Sequence, residues 1–90
     1  MTNTFGTYIK NILSDLPSCS GVYQFVNDKN HIIYIGKAKN IKKRVYSYFS
    51  KNQIGKTKIL VNKVRDIKII ITNTEQDALL LENTLIKQYK

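Results

Sequence analysis

The sequence predicts an α/β domain: a small three-stranded antiparallel sheet, made of an N-terminal hairpin plus a third strand, packed with about four helices. Three observations predict it. Residues 21–36 read as two short strands around a cluster of turn formers, Asn27-Asp28-Lys29-Asn30. Residues 67–72 are rich in β-branched side chains, which suit a further strand with both faces partly covered. The remaining segments carry apolar residues at helical spacing, and three strands alone bury too little surface to stand without helices. Ninety residues make a single domain, 1–90. There are no internal repeats or low-complexity tracts.

In chain order, residues 1–4 are expected to fray. Phe5, Tyr8, Ile9, Ile12, Leu13 and Leu16 then mark a helix from about Phe5 to Asp15, stopped by Leu16-Pro17. Pro17 to Ser20 connects to the hairpin. With a loop centred on Asp28-Lys29, Val26 opposes His31, Phe25 opposes Ile32, and Tyr23 opposes Tyr34. The two tyrosines then share one face, each with a glycine in its strand. Asn40 is a suitable N-cap for a helix from Ile41 to about Phe49. On it Ile41, Val45, Tyr48 and Phe49 share an arc, Arg44 sits at the rim beside Tyr48, and Lys42 and Lys43 point away. Ser50 to Gly55 is a polar loop. A helix over about Lys56 to Arg65 turns Leu60, Val61 and Val64 inward. Thr74, with Asp77 three residues on, starts the last helix. Its apolar face is Ala78, Leu79, Leu85, Ile86 and Tyr89, and Glu82 falls in the middle of that face.

The formal net charge is +9, from 15 Lys+Arg against 6 Asp+Glu. Its distribution matters more than its sum. No acidic residue lies between Asp28 and Asp66, a stretch holding eleven Lys and Arg residues. A one-sign segment spread over several folded elements points to a polyanion, and to nucleic acid before membrane. Cys19 is the single cysteine, which excludes an internal disulfide or a zinc cluster and suits a reducing cytoplasm as a small buried hydrophobe. No apolar run approaches a membrane span, and the N-terminus lacks the pattern of a signal peptide.

No Ser-His-Asp set, activated thiolate or Gly-rich nucleotide loop is present, which argues against an NTPase or a cofactor enzyme. An inward carboxylate, two facing tyrosines, a rim arginine and a basic surface instead suit phosphodiester hydrolysis. A carboxylate is rarely buried unless paired or bound to a metal. Glu82 could therefore hold one Mg²⁺ or Mn²⁺ ion, with water and substrate phosphate completing the shell. An ion pair with Arg44, or an edge where the carboxylate reaches water, would equally account for it. Arg44 could stabilise charge on phosphate oxygens, or simply lay its stem on the core. A tyrosine could take the proton of the attacking water, given nearby positive charge from Lys37 or the metal to lower a reference pKa near 10. Gly36 would let the DNA backbone approach closely. Gly36, Lys37, Lys39, Lys42, Lys43 and Arg44 are the DNA-contact candidates.

Gly21-Val22-Tyr23 with Tyr34-Ile35-Gly36 resembles the signature of the GIY-YIG nucleases, Val22 replacing the eponymous isoleucine. Residues 34–45, followed by Ser47-Tyr48-Phe49, look like the N-terminal nuclease domain of the UvrC family. So do Ala78-Leu79-Leu80-Leu81-Glu82 and Leu85-Ile86-Lys87. The resemblance runs from about Leu16 to Lys90. It implies an endonuclease that makes the 3′ incision in bacterial nucleotide excision repair, once UvrB has engaged the damaged duplex. Carried over residue by residue, Glu82 matches the single metal-binding glutamate, Tyr34 the proposed general base and Tyr23 its partner. Arg44 matches the phosphate-binding arginine, and Lys37 and Tyr48 match other active-site positions. Ser20 stands where the family usually has proline. The family also carries an active-site asparagine shortly after its last helix, beyond Lys90, together with later domains. The chain is thus expected to be an excised N-terminal domain, or else a naturally short relative, monomeric and weakly active in isolation. Two other readings share the scaffold: a free-standing GIY-YIG nuclease of structure-specific or mobile-element type, and a non-catalytic basic DNA-binding module.

Overall fold

The structure, a computed structural model, describes residues 4–49 and 54–89. The expected fraying of residues 1–3, most of the Ser50 to Gly55 loop, and the placement of the Phe5 and Tyr89 side chains lie outside the described residues. Helix α1 (Thr4–Asp15) leads to the hairpin strands β1 (Gly21–Val26) and β2 (Ile32–Ala38). Helices α2 (Ile41–Phe49) and α3 (Gly55–Lys63), strand β3 (Asp66–Ile71) and helix α4 (Glu75–Tyr89) follow. The sheet order is β2-β1-β3, antiparallel throughout. This is the expected fold class.

Every residue of the central strand β1 is buried. One face of the sheet carries Tyr23, Phe25 and Ile67, packed against Ile9, Leu13 and Leu16 from the α1 side and Ile41 and Val45 of α2. Val22, Gln24 and Val26 alternate to the other face, which α4 covers where it crosses β2 and β1. Ala78 is the buried anchor of that helix.

The connector before β1 is stapled to the start of α2. Ile41 N–H donates to Cys19 C=O at 2.9 Å and Lys42 N–H to Pro17 C=O at 3.0 Å. Asn40 caps α2 as expected, its side chain accepting from Lys43 N–H at 3.0 Å. Thr74 caps α4 in the same way through Asp77 N–H at 3.1 Å. Cys19 is half-buried with a free thiol, so it fills less of the core than expected.

The hairpin register differs from the expected one. Tyr23 pairs with Gly36, Phe25 with Tyr34 and Val26 with Ile32. Two shifts of one residue each produce this. In the loop, Asn27 N–H donates to His31 C=O, and Asn30 takes a left-handed conformation at φ 63°. The connection is therefore Asp28-Lys29-Asn30, with the Asn27 side chain accepting from the N–H groups of Lys29 and His31. A bulge between Phe25 and Val26 then adds the second shift. Two shifts restore the original faces, so Tyr23 and Tyr34 remain neighbours, diagonally placed.

Helix α3 stops at Lys63, earlier than the expected Arg65, because Arg65 N–H is already donating to Val26 C=O at the start of the β1/β3 ladder. β3 is an edge strand whose end is open: Ile70 and Ile71 are exposed. On α4 the buried and half-buried residues are Ala78, Leu81, Glu82 and Leu85. The expected face was too wide, since Leu79 and Ile86 are exposed. Packing on two strands buries a stripe at i, i+3, i+4 and i+7, and the wider arc stays outside.

Candidate active site

Three tyrosines from three elements meet on the α2 side of the sheet. Tyr23 stands on β1, Tyr34 on β2 and Tyr48 on α2. Their ring centroids lie 6.1 Å (Tyr23–Tyr34), 6.0 Å (Tyr23–Tyr48) and 6.1 Å (Tyr34–Tyr48) apart. Phe25 floors the triangle, its ring 5.2 Å from Tyr48 and 5.3 Å from Tyr23. Phe25 is a support that the sequence reading did not single out, although its place two residues after Tyr23 on one strand was the available signal.

The hydroxyls form a chain. Tyr23 Oη lies 3.2 Å from Tyr48 Oη, and Tyr48 Oη lies 3.5 Å from Tyr34 Oη. Tyr23 is 1% exposed and Tyr34 is 37% exposed, so the chain runs from the interior to solvent. Near its inner end stands the Arg44 guanidinium, which interacts electrostatically with Tyr23, and its carbon stands 5.6 Å from the centre of the Tyr48 ring. The helical spacing of Arg44 and Tyr48 brings them together as expected, and the guanidinium remains largely exposed.

All three phenols hold their protons above the ordinary value of 10.0. Burial is the main cause for Tyr23 and Tyr48. For Tyr34 the main cause is its hydrogen bond with Tyr48, followed by burial. The positive charge acting on them is that of Arg44, which pulls each of them down. The expected influence of Lys37 is absent, because Lys37 pairs with Val22 and so belongs to the opposite face from Tyr23. Lys37 and Arg44 do line one open groove of about 680 Å³, together with Lys39 and Lys43.

Gly36 has a structural use that the sequence did not reveal. It is buried, and a Cβ there would meet the ring and hydroxyl of Tyr23. The missing side chain makes room for the tyrosine. Lys42 does not simply point away. It is half-buried and its Nζ donates to Ser14 C=O at 3.2 Å, near the end of α1. Lys39 is exposed and stands 3.9 Å from the Glu75 carboxylate, a pair worth little in water. Lys43 is exposed.

Glu82 lies half-buried on the inward stripe of α4, as its place in the pattern required. The ion pair with Arg44 does not form: the salt bridge among the described residues joins Lys39 and Glu75. Glu82 is also distinct from the tyrosine chain, whose hydrogen bonds do not include it. No group of three or more His, Cys, Asp or Glu side chains able to hold a metal occurs among the described residues. A divalent ion held by Glu82 would therefore have one protein carboxylate and would have to keep much of its water.

A Gly-Val-Tyr strand at the centre of the sheet, paired with a Tyr-Ile-Gly strand at its edge, makes this a GIY-YIG domain. Within that class the chain belongs to the UvrC-like GIY-YIG domain family, whose pattern residues 19–90 match. UvrABC system protein C of Bacteroides fragilis is 61% identical over 84 residues, which are 92% of this chain and 14% of that protein. The corresponding protein of Prosthecochloris aestuarii is 59% identical over 80 residues, 87% of this chain and 13% of that one. The chain thus spans 13–14% of the length of these relatives. Among solved structures, it resembles the GIY-YIG N-terminal endonuclease domain of UvrC from Thermotoga maritima bound to its catalytic divalent cation, magnesium. The TM-score is 0.81 at 31% identity, covering 99% of this chain and 93% of that one.

Proposed function

We propose that this chain is a divalent-metal-dependent DNA endonuclease domain that hydrolyses one phosphodiester bond. We further propose that it acts as the nuclease module of a UvrC protein, making the 3′ incision of nucleotide excision repair. The observation that carries the reading is a chain of tyrosine hydroxyls, Tyr23–Tyr48–Tyr34, that reaches solvent through Tyr34 with the Arg44 guanidinium over the Tyr48 ring.

The residues fit a Mg²⁺ or Mn²⁺ ion, which Glu82 would hold with water and substrate phosphate. When bound, such an ion supplies Lewis-acid polarisation of the phosphate. Arg44 presents its guanidinium to the phosphate oxygens while Tyr23 and Tyr48 fix its position. Tyr34, the most exposed of the three tyrosines, accepts the proton of the attacking water when it is in its phenolate form. Its neighbour Tyr48 relays hydrogen bonding to the buried Tyr23, which holds the geometry. Because the Tyr34 phenol resists ionisation in the free domain and DNA itself brings negative charge, a cation held nearby would have to favour its deprotonated form. Lys37, Lys39 and Lys43 contribute the electrostatic attraction that draws DNA in, without reading its sequence. Damage selection therefore falls to partners, UvrB in the full-length setting. The domain itself works as a monomer in the cytoplasm.

The test is metal-dependent nicking of a lesion-bearing duplex under single-turnover conditions, with and without UvrB. Nicking should require Mg²⁺ or Mn²⁺ and fall to background in Glu82→Gln. Nicking that survives this substitution at wild-type rate would refute the assignment.

A further inference from the structure

Tyr46 stands on the outer side of α2, two residues before Tyr48 and so roughly 200° round the helix from it. Its ring is 45% exposed and takes no part in the ring contacts of the aromatic cluster. It lines an open groove of about 520 Å³ with Ser18, Asn40, Lys42, Lys43 and Ser47. Asn40, Lys43 and Ser47 also line the groove that holds Lys37 and Arg44. The two grooves thus adjoin, with Asn40, Lys43 and Ser47 between the Arg44 side and the Tyr46 ring. Among the described residues no acidic side chain lines either groove, and the Glu75 carboxylate stands 3.9 Å from Lys39.

This juxtaposition has a chemical meaning. A solvent-facing aromatic ring beside cations, in a groove free of carboxylates, provides a stacking surface and phosphate neutralisation together. These are the two components of single-strand nucleic-acid binding. A paired duplex keeps its base faces covered, so the ring finds a partner only where a base is unstacked. We propose that Tyr46 is a stacking platform for an unpaired nucleotide of the strand whose scissile phosphate lies at Arg44. Lys43 contacts the intervening backbone. The inference rests on the nuclease reading of the neighbouring groove and adds to it the path and the local form of the substrate.

The experiment uses the chain without metal and measures the anisotropy of a fluorescent thymidine dodecamer and of a matched duplex. Tyr46→Ala should weaken dodecamer binding roughly 5- to 100-fold, the range that base stacking on an aromatic ring supplies, and leave duplex binding unchanged. Tyr46→Phe should bind like the wild type. Tyr46→Trp should bind at least as well, with the introduced indole quenched by the oligonucleotide. Lys43→Ala should weaken both ligands and reduce the salt slope by about one. Equal dodecamer affinity in Tyr46→Ala, or equal loss for dodecamer and duplex, would overturn the proposal, as would an unquenched indole. The unfolding midpoint of Tyr46→Ala, expected to match the wild type, shows that any loss is not misfolding. If Tyr46→Ala binds normally while Glu82→Gln still abolishes nicking, only the stacking platform falls. If nicking survives Glu82→Gln, the nuclease reading falls instead.

Discussion

Gly36→Ala places a methyl group where the Tyr23 ring and hydroxyl already sit. Two effects oppose each other. Alanine is the better strand residue, by about 0.5–1 kcal/mol, because glycine loses more backbone freedom on folding. Overpacking a well-filled core costs about 1–3 kcal/mol. Which wins depends on whether Tyr23 can yield. It is 1% exposed and wedged among Phe25, Tyr34 and Tyr48, with its hydroxyl 3.2 Å from that of Tyr48. A ring held on every side cannot swing away, so overpacking dominates and the net loss is about 0.5–2 kcal/mol. Urea unfolding should show a lower midpoint with an unchanged m value. A double-mutant cycle identifies the cause: in a Tyr23→Leu background, which removes the ring atoms concerned, Gly36→Ala should cost markedly less, with a coupling of about 1 kcal/mol or more. A Gly36→Ala protein as stable as the wild type, or an equal cost in both backgrounds, would refute the argument that Gly36 exists to seat Tyr23.

Two further predictions follow from the same cluster. Unfolded tyrosine ionises near pH 10, while Tyr23, Tyr34 and Tyr48 keep their protons to higher pH. Above pH 10 the unfolded chain therefore binds fewer protons than the folded one. The cluster's contribution is full below pH 10 and is lost as pH rises through the folded values. Urea midpoints measured between about pH 8 and about pH 11 should fall with pH, less steeply in Tyr48→Phe; a rise would contradict the burial account. Arg44→Lys should fold normally yet lose about 100-fold or more in nicking rate, because a lysine offers no planar fork to phosphate and no stacking on Tyr48. Near-wild-type nicking would reduce Arg44 to one charge among many.

The helices were legible because their ends are written in side chains. Asn40 and Thr74 cap α2 and α4, and Leu16-Pro17 closes off α1. Glu82 was legible as well, since a carboxylate on an inward stripe violates the pattern around it. The hairpin register was not. It depends on a left-handed Asn30 and a bulge beside Phe25, and neither leaves a mark that alternation alone can reveal. The role of Gly36 was hidden for the same reason, since only the true register sets it opposite Tyr23. The sign of the tyrosine shifts was also out of reach: the sequence offers many cations, but burial and mutual hydrogen bonding outweigh the one that is close, Arg44. Lys42 was misread because its partner, Ser14 C=O, lies 28 residues away in the chain.

The account turns on Glu82 as the protein's ligand to a catalytic cation. Its most direct test is a crystal of the domain soaked in Mn²⁺, with anomalous scattering collected. A peak is expected within coordination distance of the Glu82 carboxylate, and no peak in Glu82→Gln crystals treated alike. A site that stays empty under strong Mn²⁺, with Glu82 locked in an ion pair, would contradict it and leave a basic DNA-binding module in its place.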